Sequence, residues 1–248
     1  MLTIAIANQK GGVGKTDLCV NLATSLANNN KKVLLIDIDP QANATDYLTS
    51  LKAEKTAYNL FLDDETHIQE IIQKTCVKNL DILPSDTRLS AAQTMLANSV
   101  GMQFKLKRKL GILSGYDYVF IDTPPSLALL TLNALTAADK VLVPVQVHYF
   151  AMEGVANLIK TIDAVKEDLN AKLELGGVVL MMYDKRNKLS SEVKKMVTDT
   201  FKGKVFKTAI PINVKLAEAP SHHKPIAHYA PSSTGAKAYK RLAKEFLK

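Results

Sequence analysis

Tryptophan is absent from the 248-residue chain, cysteine occurs twice, and no apolar run approaches the ~20 residues that a membrane-spanning helix needs. The two cysteines, Cys19 and Cys76, lie far apart and unclustered, which argues against a disulfide framework or a cysteine metal site and fits a reducing cytoplasm. A bridging iron–sulfur cluster is disfavoured on the same ground. The opening run Met1-Leu2-Thr3-Ile4-Ala5-Ile6-Ala7 has no charged stretch before it and leads straight into glycines, so it reads as a buried strand and not as a signal peptide. Acid is scarce at the other end. From Phe201 to Lys248 only Glu218 and Glu245 oppose ten Lys and Arg, so this segment carries +8 while the first 200 residues sum to zero. Such concentration suggests a polyanionic partner, either nucleic acid or an anionic membrane surface. The plainer alternative is a solvated basic face.

Short apolar runs alternate with helical patterns along the whole chain. Strands are expected at Thr3–Asn8, Lys32–Ile38, Leu80–Pro84, Tyr116–Asp122, Lys140–Gln146 and Gly176–Tyr183, with a short one at Lys204–Phe206. Several are continuously apolar, as in Val33-Leu34-Leu35-Ile36, which is the signature of strands buried on both faces of a parallel sheet. Helices are expected at Lys15–Asn28, Ile68–Thr75, Ser90–Ala97, Met102–Ser114, Ala128–Ala137, Ala151–Leu169, Ser190–Phe201 and Gly235–Leu247. The alternation predicts an α/β fold with a doubly wound, mostly parallel sheet flanked by helices, which the glycine loop described next makes one of the P-loop NTPase type. Without repeats or an evident linker, residues 1–248 read as one domain.

The first expected strand ends at Asn8-Gln9, and Lys10-Gly11-Gly12-Val13-Gly14-Lys15-Thr16 follows at the start of a helix. Strand, glycine loop, Lys-Thr and helix together make a phosphate-binding loop. Its glycines let backbone N–H groups turn toward phosphate oxygens, and the helix N-terminus adds its positive end. In this arrangement Lys15 reaches the β- and γ-phosphates and the Thr16 hydroxyl ligates Mg²⁺. Asp37 and Asp39, two apart at the end of the second strand, point to one side beside the loop. Asp122 ends the apolar strand Tyr118–Ile121 and suits a Mg²⁺ ligand acting through water.

The additional lysine, Lys10, makes the loop resemble the deviant Walker A loop of the ParA/MinD family. The resemblance implies that Lys10 contacts the nucleotide of a partner subunit in an ATP-bridged homodimer. Asp39 then orients or activates the attacking water, with a possible water-mediated contact to the metal; Asp37 reads as structural or as a support behind the site's own contacts. Catalytic roles thus fall on Lys10, Lys15 and Asp39, and nucleotide contacts on Lys10, Gly11, Gly12, Val13, Gly14, Lys15, Thr16 and Asp17. Asp122-Thr123-Pro124-Pro125-Ser126 resembles the family's second switch. Ile210-Pro211-Ile212-Asn213-Val214 is similar to the segment that packs on adenine, which assigns Pro211 and Asn213 to the base.

Val143–Gln146, Tyr149–Gly154 and Leu216–Ile226 resemble the ParA/Soj chromosome-partition branch. That likeness implies a slow Mg²⁺-dependent ATPase that dimerises with ATP, binds DNA without sequence preference and is released when a ParB-type protein stimulates hydrolysis. It also implies a cytoplasmic, nucleoid-associated protein. DNA candidates are Lys185, Arg186, Lys207, Lys215, Lys224, Lys237 and Lys240, with Lys207 and Lys215 foremost. Alternatives are a MinD-like membrane-surface ATPase, suggested by the apolar face Tyr239, Leu242, Ala243, Phe246 and Leu247, and a ParA-like positioner of another cargo. Two positions depart from the family. Ile212 stands where relatives usually carry Arg, removing one candidate DNA contact. Asp17 stands where relatives carry Thr or Ser facing the α-phosphate; a carboxylate there either repels phosphate or rotates away to cap the helix.

Overall fold

A computed structural model describes the backbone of residues 1–50, 52–96, 100–147 and 151–248, without the side chains of 151–155. Tyr149 and Phe150, used above to place the chain within its family, fall outside the described residues. In chain order the elements are β1 (Leu2–Ile6), α1 (Lys15–Ala27), β2 (Val33–Asp37), α2 (Asn43–Leu48), α3 (Ala57–Leu62), β3 (Gln73–Lys74), β4 (Leu80–Leu83), α4 (Leu89–Leu96), α5 (Lys105–Leu110), β5 (Tyr118–Asp122), α6 (Leu129–Ala137), β6 (Lys140–Gln146), α7 (Ala151–Asp168), β7 (Glu174–Met181), α8 (Lys188–Thr200), α9 (Val214–Glu218), α10 (Ile226–Tyr229) and α11 (Thr234–Phe246).

The strands form one seven-stranded sheet in the order β3-β4-β2-β5-β1-β6-β7. All pairs are parallel except β3 with β4. Period-2 alternation splits each central strand between two apolar layers. Ile4, Ile6, Val33, Leu35 and Phe120 join one layer with α1 and α11. Ala5, Ala7, Leu34, Ile36, Val119 and Ile121 join the other, with α6 and α7. Both faces are covered, which is why these strands read as continuous apolar runs.

Three expected elements are corrected. The helix expected at Ile68–Thr75 is a single 3-10 turn, Ile68–Glu70, followed by β3. Edge pairing of Gln73 and Lys74 with Ile82 and Asp81 overrides the local helical pattern. Met102–Ser114 shortens to a 3-10 turn and α5, ending at Leu110 with Gly111 as its C-cap. The strand expected at Lys204–Phe206 is one isolated bridge, Val205 with Val178. Four of the five residues of the apolar face are packed: Tyr239, Leu242 and Ala243 are fully buried, and Phe246 lies edge-on to Tyr118 with ring centroids 5.8 Å apart, while Leu247, just past the end of α11, is 38% exposed. No helix among the described residues is long and apolar enough to cross a membrane.

Candidate nucleotide site and basic groove

Parallel strands deliver their carboxyl ends to one edge of the sheet, and the loops there carry the candidate residues. From β1 the chain turns through the glycine loop into α1. Asn8 anchors the turn: its Nδ2 donates to Pro144 O at 2.7 Å, and its Oδ1 accepts from Lys10 N at 3.0 Å. Gly12 and Gly14 hold φ of +73° and +87°, the left-handed region that favours glycine. Gly14 is also the N-cap of α1 and brings no side-chain cap, and Lys15, Thr16 and Asp17 of the first turn line the cavity described below.

Lys15 is buried, and its Nζ donates to Lys10 O at 3.3 Å. Burial lowers its pKa, and the nearby Asp122 and Asp39 oppose that shift. Asp122 pairs in register with Ile6 on one side and Asp37 on the other. Its Oδ2 accepts from Thr16 Oγ1 at 2.7 Å, while its Oδ1 is buried without a hydrogen-bond partner. Burial pushes the Asp122 carboxyl well above the carboxylate range, and Asp37 adds to this. A divalent cation fits this arrangement, because an orphaned buried carboxylate oxygen beside a hydroxyl is what such a cation would satisfy. No cluster of three or more acidic, His or Cys ligands forms a closed cage among the described residues. Phosphate oxygens and water would complete the shell, as Mg²⁺ requires.

Asp37 is fully buried and structural. It accepts from Asp39 N at 3.0 Å, Thr45 N at 2.9 Å and Thr45 Oγ1 at 2.8 Å. These bonds tie β2 to α2 and fold the intervening loop, so Asp39 lies at the cavity wall. Burial raises the Asp37 pKa to about 7.

A cavity of about 540 Å³ is lined by Gly11, Gly12, Gly14, Lys15, Thr16, Asp17 and Asp39, among others. A second, of about 400 Å³, is lined by Asp17, Met181, Asp184, Pro211, Asn213 and Tyr239, among others. Asp17 and Met182 belong to both. The structure therefore brings the two predicted base contacts beside the phosphate loop. Val13 is buried beneath the loop and lines neither cavity. Asn213 is oriented by its own bonds: Nδ2 donates to Thr234 Oγ1 at 2.7 Å, and Oδ1 caps α9 through Leu216 N at 3.3 Å.

A third cavity, about 860 Å³, adjoins the second and shares Asp184, Pro211 and Ile212 with it. Six cations line it: Lys185, Arg186, Lys194, Lys207, Lys237 and Arg241. Four of these were expected from sequence. Lys194 and Arg241 were missed, because nothing local says that α8 and α11 turn them toward one groove. Lys215, Lys224 and Lys240 lie outside it. Lys215 pairs instead with Glu218 at 2.8 Å, a contact that the i,i+3 spacing on a helix could have revealed. Arg186 is held by Asp184 at 3.0 Å. Ile212 is 64% exposed at the shared wall.

A family model described as an AAA domain matches residues 1–175. The chain is 49% identical over 245 residues to the sporulation initiation inhibitor protein Soj of Bacillus subtilis, covering 98% of this chain and 96% of that protein. It is 45% identical over 246 residues to the chromosome-partitioning ATPase Soj of Treponema pallidum, covering 99% and 96%. Among solved structures, a cobyrinic acid a,c-diamide synthase from Mycobacterium smegmatis with bound ATP analog and magnesium superposes with a TM-score of 0.87 at 34% identity, covering 100% of this chain and 94% of that one.

Proposed function

We propose a function that proceeds from one fact: the chain belongs to the ParA/Soj family of P-loop ATPases. It is an ATPase, and we infer that its ATP cycle gates nonspecific DNA binding for chromosome or plasmid partition. The cycle has four stages. ATP and Mg²⁺ occupy the glycine-loop cavity. Lys10 completes the site of a second copy, so binding favours a homodimer. The dimer holds the phosphate backbone of DNA in its basic grooves. Hydrolysis, stimulated by a ParB-type protein, releases it.

The observation that carries this reading is the shared wall. Asp184, Pro211 and Ile212 line both the cavity beside the phosphate loop and the six-cation groove, so nucleotide and DNA would share one wall. Each residue has a physical task. The N–H groups of the glycine loop and the α1 N-terminus receive phosphate. Lys15, already among acidic neighbours, is a cation held where charge develops. Thr16 and Asp122 would hold Mg²⁺, which when bound neutralises charge on the phosphate oxygens. Asp39, held by the Asp37 and Gln41 bonds, is placed to take a proton from an attacking water or to orient it.

The test is the oligomeric state by light scattering. With ATP, Asp39→Ala should scatter with the mass of a dimer, and Lys10→Ala should bind ATP yet stay monomeric. A Lys10→Ala variant that dimerises with ATP as the parent does would overturn the role given to Lys10.

A further inference from the structure

Asp17 is the one residue of the first turn of α1 whose chemistry opposes the site it lines. A helix N-terminus attracts anions, and here the glycine loop aims that attraction at phosphate. Asp17 already places a negative group at the same end. Tyr47 hydrogen-bonds its carboxyl, and the Tyr47 hydroxyl in turn accepts from Asn21 Nδ2 at 3.3 Å. Its other oxygen, Oδ1, is buried with no partner. The side chain does not rotate out to solvent, since it lines both the phosphate cavity and the cavity of Pro211 and Asn213.

A nucleotide lying across these two cavities has its sugar and first phosphate at the seam, where Asp17 stands. We infer that Asp17 sets the affinity of this site: its carboxylate repels the phosphate nearest the sugar, so the chain holds nucleoside polyphosphates more weakly than its phosphate loop would alone. The inference rests on the reading of the loop as a nucleotide site. Two consequences separate it from a general weakening. The first phosphate is common to ATP and ADP, so both are penalised alike. Adenosine carries no phosphate and escapes.

The experiment is calorimetric titration of ATP, ADP and adenosine into the full chain and into Asp17→Asn, Asp17→Thr and Lys15→Ala. Asp17→Asn keeps the shape and removes the charge; Asp17→Thr removes both charge and bulk. Both should tighten ATP and ADP by about tenfold, since a like charge is removed from a site of low effective dielectric. Adenosine affinity should stay unchanged, and both variants should melt no lower than the parent. Unchanged ATP and ADP affinity in both variants overturns the inference. So does weaker binding of all three ligands, which would make Oδ1 an acceptor for a sugar hydroxyl, or equal tightening of all three, which would make the effect steric. Lys15→Ala keeps the two readings apart. If it abolishes ATP binding while Asp17→Asn matches the parent, only the role of Asp17 fails. If Lys15→Ala binds ATP as the parent does, the nucleotide site itself is misplaced and the inference falls with it.

Discussion

Burial acts on three carboxyls at the sheet edge in the same direction. Asp17 is raised to about 6, Asp37 to about 7 and Asp122 well above the ordinary range. In the unfolded chain each titrates near ~3.9. The folded state therefore binds more protons than the unfolded state between these values, and stability falls as pH rises through that window. The stabilising contribution is complete below about 4 and lost as pH passes about 6 for Asp17 and about 7 for Asp37. Stability of the nucleotide-free protein should thus drop between pH 5 and 8, by on the order of 4 kcal/mol, or roughly 8–16 °C in melting temperature for a domain of this size. Asp17→Asn should flatten part of that drop; a melting temperature that rises with pH contradicts the burial. At Asp39 the expectation is kinetic. Asp39→Ala should keep ATP affinity within a few-fold and lower the hydrolysis rate by about 10² or more. The identities of these residues were legible in the sequence. Their surroundings were not: Tyr47 and Tyr239 meet Asp17 from distant points of the chain, and no spacing rule places them there.

Among elements, the ones buried on two faces were legible because continuous apolar runs and helical periods leave a local record. β6, Lys140–Gln146, matches its expected bounds. The short elements α2, α3, α9 and α10 left no such record. Specific bonds hold them: α2 hangs on the Asp37–Thr45 pair, and α3 on the Thr56 capping box. The glycine loop gives a test at this scale. Gly14 has φ +87°, and a Cβ there would approach Met181 Cε to 2.9 Å. Met181 Cε is the end of a flexible chain and can yield, so the lasting cost is backbone strain of about 1–2 kcal/mol. Gly14→Ala should destabilise the chain by that amount, roughly 2–8 °C in melting temperature, and weaken ATP binding through displaced N–H groups. The groove offers another. Glu245 on α11 accepts from Lys207 N at 2.6 Å and Thr208 N at 3.0 Å. Glu245→Gln should speed amide exchange at Lys207 and Thr208 and weaken DNA binding without changing ATP affinity; unchanged exchange would show that the clamp does not hold the groove's wall.

Over the whole molecule, charge and topology converge. The +8 of the last 48 residues was visible in the sequence, but which cations share one surface was not. Chain folding gathers Lys207, Lys237 and Arg241 with Lys185, Arg186 and Lys194 into one groove, and leaves Lys215, Lys224 and Lys240 elsewhere. If the groove holds DNA phosphates, Lys194→Ala and Arg241→Ala should each weaken binding and reduce the salt slope by about 1, whereas Lys224→Ala should do neither. The most direct test of the central claim is binding of a random-sequence duplex, measured with ATP, with ADP and without nucleotide across a range of salt. The account predicts tight binding with ATP alone, with log affinity falling linearly as log salt rises. Equal affinity in all three nucleotide states would contradict it.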